Sequence, residues 1–506
     1  MKRDHGAWRR IVRGRTDPTT LAGDHASRWG RFAGDITLAA AVAIAGSTSY
    51  RYSYDQAVTW ILVVATVALA GAVVIGSPLA RPHRPVIAAS VLVGAYICWK
   101  AQPSTNIVAL SWFPVSVYVG LAASALLLFA VFVRGRWQLI LVSAAGAVAV
   151  ASMILIIVTS VEPLIDVWVI FQQSTAGLLS GANPYTQYFP GVPKGQTADC
   201  FNYLPATFLL PAPGNWLLRD VRYGELAIML AGFLSLLYVL TKPLTAKLLP
   251  GFGDRKRPQL RSQRGGDSQR TAGTGPDVVG GATTTGGVGR AGALAVVLGV
   301  LALTLPGTLR VVQQSWNESI VLGCLLLAVA LVLGRRTNWA IIPLALAVAT
   351  KQHMLLVLPL WALWPVFGWR RTLLAAFGAL AVAVPWLVMD FGRFYKCTVT
   401  FFLDTPSRVD SLSFYRFLPT GMQSWLAIAL VVVAYALVLW RCDRSVGALV
   451  LAMAVVMIGF DLYNKQSFEN QWWLAAVLLV VALAVAAFER GQHIPKECVE
   501  QADTQV

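Results

Sequence analysis

The sequence predicts an all-α, polytopic integral membrane protein with about 12–14 transmembrane helices. Of its 506 residues, 57% are hydrophobic and 13% are charged, whereas about 25% of a soluble domain is charged. Apolar stretches close to the roughly 20 residues that span a bilayer recur from Ile36 to Phe488. Their apolar surface must face lipid, which excludes a soluble globular domain, and their number excludes a single signal peptide.

Fourteen apolar stretches are predicted as spans, at 33–50, 57–77, 85–101, 112–133, 137–160, 223–241, 291–311, 318–334, 338–350, 353–367, 371–389, 424–440, 445–461 and 470–488. The short pair 338–350 and 353–367 is expected to be two half-length helices that are hinged at residues 351–353 and meet at the outer face. The segment Tyr203–Leu218 is apolar but contains three prolines. It is expected to be re-entrant or interfacial, because a full span there would place the following basic linker outside.

The net charge of +17 reflects topology rather than nucleic-acid binding, because the cations lie between apolar runs instead of forming one basic face. The segment Met1 to Arg31 holds eight Lys/Arg, and further clusters occur at Arg81–Arg84, Arg134–Arg136, Arg335–Arg336, Arg370–Arg371 and Arg441–Arg444. The positive-inside rule places these clusters in the cytoplasm. No nucleic-acid partner is expected.

The six cysteines are scattered without metal-ligand spacing, so the sequence indicates no zinc or iron–sulfur site. Cys200 and Cys397 are the two cysteines that fall in predicted external loops. A disulfide between them is compatible with this topology, although nothing in the sequence requires it.

The predicted organisation has six parts. These are a basic cytoplasmic N-terminus (1–32), four additional helices (33–136), the first part of a membrane core (137–241) with an external loop (161–222), a disordered basic cytoplasmic linker (242–290), the second part of the core (291–488) and a cytoplasmic tail (489–506). The linker holds nine Lys/Arg against three Asp in a Gly/Ser/Thr-rich context, a composition that cannot bury a core.

Polar residues collect in five segments on the predicted outer side, at 161–185, 310–318, 351–353, 390–413 and 461–471. Ionisable groups near membrane depth are costly and usually face a cavity or a partner, so these segments are functional candidates. In the first segment, residues 167–180 are expected to form an amphipathic surface helix that begins at Asp166 and ends at Gly181. Asp166 could also serve only as the N-cap of this helix, and the lysines and arginines could simply extend to lipid head groups.

The chain resembles the polytopic C-type glycosyltransferases, most closely glycosyltransferase family 87, which includes polyprenyl-phosphate-mannose-dependent mannosyltransferases. The resemblance covers about residues 137 to 488 and depends on the following motifs: Asp166 with Gly181-Ala-Asn183-Pro184-Tyr185, Tyr203-Leu-Pro205, Ala349-Thr350-Lys351-Gln352, Arg408-Val-Asp410-Ser411-Leu412 and Asn464-Lys465-Gln466. The four helices before the loop and the long insertion at 242–290 depart from the family pattern.

The resemblance implies sugar transfer from a polyprenyl-phosphate donor to a lipid or glycan acceptor of the cell envelope, on the outer face of the cytoplasmic membrane. The implied general base is Asp166, and the implied ligands of the donor phosphate are Lys351, His353, Arg408, Lys465 and, behind them, Arg310. The implied contacts to sugar or acceptor are Gln172, Asn183, Tyr185, Gln314, Glu318, Gln352, Asp410, Gln466 and Asn470, with aromatic stacking from Trp168, Tyr185, Trp316 and Tyr415. No cofactor is expected apart from the lipid-linked co-substrate. A divalent cation serves some members of the superfamily, but these residues do not indicate one.

Several alternatives remain open. Glu162 and Glu318 rival Asp166 as the base, His353 could be a hydrogen-bonded histidine at a helix end, and Asp410 could pair with a neighbouring arginine to shape its loop. The sugar could be mannose, arabinofuranose or another envelope sugar, and the sequence predicts neither the acceptor nor the oligomeric state. A flippase or transporter is the main rival from another class; it should carry inverted repeats and charges deep within spans. A non-catalytic scaffold would leave the outer polar segments unexplained.

Overall fold

The computed structural model of the chain describes residues 24–50, 55–76, 78–101, 107–192, 199–248, 285–408, 410–415 and 423–492. Helices make up most of the described part and its strands form one short two-stranded sheet, which agrees with the predicted all-α membrane class. Seven of its helices are long and apolar enough to cross a membrane, and five shorter apolar helices accompany them.

The four additional helices come first in the chain, close to their predicted positions. They are α1 (Asp24–Tyr50), α2 (Gln56–Ile75), α3 (Arg84–Lys100) and α4 (Pro114–Phe132). Helix α1 begins nine residues before the predicted span, and residues 1–23 of the predicted N-terminal segment lie outside the described residues.

The first part of the core contains one long helix on each side of the external loop. Its elements are α5 (Arg136–Thr159), α6 (Asp166–Gly177), α7 (Ala206–Leu209), α8 (Ala212–Leu218) and α9 (Val221–Leu248). A two-stranded antiparallel sheet that the sequence did not predict joins β1 (Ile107–Ala109) to β2 (Ser160–Pro163). Helices α7 and α8 are far too short to span a bilayer, which agrees with the re-entrant or interfacial prediction for 203–218.

The second part of the core contains the remaining helices: α10 (Thr285–Leu303), α11 (Thr308–Gln313), α12 (Glu318–Leu333), α13 (Ile341–Val348), α14 (Leu358–Leu363), α15 (Trp369–Met389), α16 (Phe391–Tyr395), α17 (Phe401–Asp404), α18 (Gln423–Arg441), α19 (Val446–Asp461) and α20 (Glu469–Gln492). Short irregular helices occupy Leu178–Ser180, Gln352–Val357 and Lys396–Thr400.

Three predicted boundaries differ from the helix ends in the structure. The span 291–311 ends at Leu303, because Pro306 and the left-handed Gly307 (φ 89°) interrupt the helix before α11. Helix α9 continues to Leu248 and α10 begins at Thr285, so both extend into the predicted linker 242–290; residues 249–284 lie outside the described residues. Helix α20 continues to Gln492, past residue 489 where the tail is predicted to begin, and residues 493–506 also lie outside.

Helix α20 is the central helix of the bundle. It packs against α1, α10 and α19, and 94% of its apolar window is buried. Helix α15 is peripheral, with 17% of its window buried. The additional N-terminal helices join the core through α1, which packs against α20, and through α4, which packs against α5.

Helices α9 and α12 cross at two glycines. A Cβ atom added to Gly232 would lie 2.3 Å from the carbonyl oxygen of Gly323, and one added to Gly323 would lie 2.4 Å from the carbonyl oxygen of Ile228. Small residues at a crossing let two membrane helices approach closely, so that their backbones pack directly. This contact sets α9 and α12, which carry Glu225 and Glu318, side by side.

A second, aromatic core lies above α6. Its members contact one another through their ring edges and faces: Phe171, Tyr185, Phe189, Phe201, Phe208 and Phe394. A disulfide between Cys200 and Cys397 closes this aromatic core, which confirms the pairing left open by the sequence. The external loop is thereby joined covalently to the segment after α15.

Loss of this disulfide is expected to lower the free energy of unfolding by about 2–5 kcal/mol. Cys200→Ser, Cys397→Ser and the double variant should show the same shift in thermal unfolding of the purified protein, because each removes the same bond. Cys442→Ser, at a buried free cysteine, is the control. Additive losses in the double variant would contradict the pairing.

Candidate active site

The site is organised by a break between α13 and the irregular helix Gln352–Val357. An eight-residue helix rises only about 12 Å, so α13 cannot cross the membrane alone. The carbonyl oxygen of Thr350 accepts bonds from the Leu204 amide (3.3 Å) and the Thr207 hydroxyl (2.7 Å), and that of Ala349 accepts one from the Ala206 amide (2.9 Å). The external loop thus descends onto the predicted hinge and satisfies its backbone.

Lys351 lies at this hinge and forms a buried ion pair with Glu318, the first residue of α12. Its Nζ atom also lies 6.0 Å from the ring centroid of Tyr203. Asp461, at the end of α19, lies within electrostatic range of Lys351 and Glu318, and His353 lies within range of Lys351. Polar groups from three distant segments therefore meet around one lysine.

Glu225 belongs to the same group, although sequence reasoning missed it. It is 1% exposed, and its Oε1 accepts a 2.7 Å bond from the hydroxyl of Ser315, a residue with left-handed backbone (φ 57°). It lies within electrostatic range of Glu318. A single Glu one turn into an apolar helix was the available signal. We call Glu225, Glu318, Lys351, His353 and Asp461 the inner cluster.

Asp166 is the first residue of α6. The N-cap position belongs to Ile165, and the Oδ1 atom of Asp166 accepts a 2.9 Å bond from the Val167 amide. The predicted helix closure is confirmed, since Gly181 is left-handed (φ 74°) after Leu178–Ser180. Burial raises the pKa of the Asp166 carboxyl, and the Val167 amide and the charge of Arg408 oppose this rise. Asp166 therefore lies within electrostatic range of Arg408.

Tyr203 is within electrostatic range of both Asp166 and the inner cluster. Burial raises its pKa well above the usual value, and the charges of Asp166, Glu318 and Glu225 raise it further. Its ring therefore lies in the field of both the candidate base and the inner cluster.

Arg408 and Lys465 lie on two loops that are joined by backbone bonds, including Leu412 N to Ser467 O (2.8 Å). Arg408 forms a two-bond ion pair with Asp410 (2.6 and 2.9 Å), its side chain is 52% exposed, and its guanidinium lies 4.9 Å from the ring centroid of Phe468. Asp410 thus pairs with a neighbouring arginine, as one of the two interpretations of this residue predicts. Lys465 Nζ donates to the Leu403 carbonyl (2.8 Å); partial burial lowers the Lys465 pKa, against the charge of Asp404.

Arg310 has different neighbours from the other predicted phosphate ligands. It forms a buried 2.8 Å ion pair with Glu469, the first residue of α20, beside Ser49 and Cys98 of the additional helices. The predicted contact Gln314 donates to Gln313 Oε1 (3.0 Å). Arg310 therefore joins α11 to α20.

Four predicted sugar or acceptor contacts hold the external loop together. Gln172 bonds to Asn215 (2.8 Å) and to the backbone of α9 and its preceding turn, and Asn183 accepts from the Tyr185 amide (3.1 Å). Tyr185 is fully buried with its hydroxyl donated to the Tyr203 carbonyl (2.9 Å), so its ring has no free face for stacking on a sugar.

Gln352 donates to the Asn202 and Thr398 carbonyls (3.0 and 3.1 Å). Gln466 and Asn470 are half-buried beside these loops. Of the rival bases, Glu162 is exposed on β2 and Glu318 is already paired with Lys351. The four predicted stacking aromatics differ, since Trp316 is 5% exposed whereas Trp168 and Tyr415 are half-buried.

Arg222, another residue that sequence reasoning missed, fixes the loop to the bundle. It is 1% exposed, pairs with Asp220 (2.5 Å), and donates to the Ser160 hydroxyl (3.1 Å) and to the carbonyls of Ile157 and Gln313 (3.3 Å each). Its guanidinium thereby joins both ends of the external loop.

Within the described ranges, no group of three or more His, Cys, Asp or Glu side chains could hold a metal ion. The expectation that catalysis needs no metal stays a prediction.

Arg222→Met should lower the free energy of unfolding by about 3–5 kcal/mol, because it leaves Asp220 without its buried cation. Thermal unfolding in detergent measures the effect. Arg393→Met, at an exposed arginine of α16, is the matched control and should change stability little. Equal effects in the two variants would contradict the structural role of Arg222.

No family model, curated protein or solved structure matches the chain. The resemblance to glycosyltransferase family 87 therefore depends on the motifs alone. The geometry of the site carries the functional argument.

Proposed function

We propose that the chain is an inverting membrane glycosyltransferase that moves a sugar, mannose first among the candidates, from a polyprenyl-phosphate donor to a lipid or glycan acceptor of a prokaryotic cell envelope. The observation that carries the proposal is that Asp166 lies within electrostatic range of Arg408, and that Tyr203 lies within range of both Asp166 and the carboxyls of the inner cluster. A carboxylate beside a half-exposed cation is the pair that transfer from a sugar phosphate needs. The family motifs agree with this assignment.

The proposed reaction forms one bond and breaks one. The acceptor hydroxyl oxygen attacks the anomeric carbon while Asp166 takes its proton, and the bond from that carbon to the phosphate oxygen breaks. The phosphate leaves with the electron pair as polyprenyl phosphate. A pKa raised by burial favours Asp166 as a base near neutral pH.

The leaving phosphate is assigned to Arg408 and Lys465, both partly exposed on joined loops. Cations aimed at the developing charge stabilise the transition state. Lys351 and Arg310 are weaker candidates than the sequence suggested, because each is already neutralised by a buried carboxylate.

The outer face of the cytoplasmic membrane is the proposed location of the site. Disulfides persist in oxidising compartments, and Cys200–Cys397 joins the loops that carry the site. The basic clusters between the spans support the same orientation through the positive-inside rule.

A lipid-linked sugar transporter is the second candidate, and the buried charges of the inner cluster favour it. These charges, however, lie at a hinge or at helix ends: Glu318 begins α12, Asp461 ends α19, and Glu225 is four residues into α9. A transport path would need charges along the full depth. Incorporation of sugar against flux of sugar in vesicles separates the two functions.

Asp166→Asn should reduce glycosyl transfer by about 10²–10⁴-fold, because the amide cannot accept the proton. The measurement is transfer from radiolabelled polyprenyl-phosphate mannose to lipid in membranes that hold equal amounts of each variant. Glu162→Gln, at an exposed carboxylate near the loop, should retain transfer. Full activity of Asp166→Asn would move the base to Glu162 or Glu318, and loss in Glu162→Gln would identify Glu162.

Arg408→Ala should shift the acidic limb of the pH–activity profile to higher pH. Burial raises the pKa of Asp166 and the positive charge of Arg408 lowers it, so removing that charge raises the pKa further and the carboxyl protonates at higher pH. Arg408→Lys keeps the charge and should keep the limb nearer its original position. An unchanged limb in Arg408→Ala would exclude electrostatic coupling between the two side chains.

A further inference from the structure

Four buried polar atoms of the inner cluster have no hydrogen-bond partner among the described residues: Glu225 Oε2, Glu318 Oε2, His353 Nε2 and Asp461 Oδ2. The three carboxylates are almost inaccessible, with exposures of 1%, 0% and 2%. An unsatisfied buried polar group costs about 1–3 kcal/mol. Their grouping around the Glu318–Lys351 ion pair indicates that a bound group supplies the missing partners.

The charge of the cluster restricts what that group can be. Lys351, the lysine of the cluster, already forms an ion pair with Glu318, so the cluster offers no unpaired lysine to a phosphate or another anion. The described residues contain no group of carboxylate, histidine and cysteine side chains that could hold a metal ion. A neutral group with several hydroxyl donors fits, because each carboxylate oxygen accepts hydrogen bonds.

We infer that the inner cluster is the subsite for the sugar ring of the donor, in which Glu225, Glu318 and Asp461 accept hydrogen bonds from its hydroxyl groups. This inference rests on the proposed function, since the sugar is the one carried by the polyprenyl phosphate. Asp461 and Glu225 become specificity-determining residues. The ion pair with Lys351 holds the carboxylate of Glu318 in place.

The surroundings of the cluster suit a sugar. Tyr203, Gln352 and His353 have half-buried side chains, and the ring centroid of Tyr203 lies 6.0 Å from Lys351 Nζ. The neighbouring backbone at 349–351 is not helical. Rings and fixed polar groups together recognise ligands whose faces are apolar and whose edges carry hydroxyls.

The test compares three probes on the full chain, purified in detergent: farnesyl phosphate, farnesyl-phosphate mannose, and the same molecule with its four free sugar hydroxyls methylated. Isothermal titration gives each Kd. The wild-type protein should bind farnesyl-phosphate mannose at least about ten-fold more tightly than farnesyl phosphate, since hydrogen bonds to charged groups are among the strong ones. Methylation should abolish this gain, because the ether oxygens donate no hydrogen bond.

Asp461→Asn and Glu225→Gln should each lose most of the gain while binding farnesyl phosphate as tightly as the wild-type protein does. Two variants at separate helices keep the test decisive if one of them fails to fold. Asp35→Asn is the matched control: Asp35 is 9% exposed and pairs with His83 (2.5 Å), away from the cluster. It should keep the full gain.

Equal affinity of the wild-type protein for farnesyl phosphate and farnesyl-phosphate mannose would overturn the inference and leave the proposed function standing. A gain that survives methylation, or that survives in both cluster variants, would also overturn it. Failure of every probe to bind would remove the proposed function and the inference together.

Discussion

The constraint on which the structure depends is that a chain in lipid must satisfy its own backbone polar groups. The break after α13 leaves carbonyl groups without helical partners, and the external loop supplies amide and hydroxyl donors from Leu204, Ala206 and Thr207. This joint brings Tyr203 down to Lys351. The loop that carries Asp166 is therefore held against the buried polar groups by backbone bonds rather than by the surface alone.

Three buried cations strengthen this arrangement, and each pairs with a carboxylate. Lys351 joins the hinge to α12, Arg310 joins α11 to α20, and Arg222 with Asp220 joins both ends of the external loop. Removing two charges from water costs several kcal/mol per ion, which a pair recovers only with good geometry and further hydrogen bonds. Such pairs are poor sources of stability, but they define which elements meet, and here all three lie at helix ends or at the hinge.

The sequence was sufficient to predict most of the helices, because a long apolar run must either span the membrane or pack against other helices. The helix breaks at Pro306-Gly307 and at the hinge are marked by local sequence signals. The span predicted over 291–311 nevertheless runs through the first of these breaks. Contacts such as Glu225 with Ser315 and Arg222 with Gln313 could not be predicted, since they join segments far apart in the chain. In a helix that is apolar on every face, periodicity does not reveal where a single Glu points. The predicted phosphate role of Lys351 weakened for the same reason, because its pairing with Glu318 depends on packing.

The carboxyl groups and the exposed cations of the site lie in separate regions, which suits a ligand made of a sugar joined to a phosphate. The inner cluster contains three carboxyl groups and one lysine that is already paired, whereas Arg408 and Lys465 lie on loops that are partly exposed. A phosphate belongs with the outer cations, and hydroxyl groups belong with the inner carboxylates. The atom between phosphate and sugar ring is the anomeric carbon. Asp166 lies within electrostatic range of both Arg408 and Tyr203, which suits the proposed role of its carboxylate in deprotonating the hydroxyl that attacks this carbon.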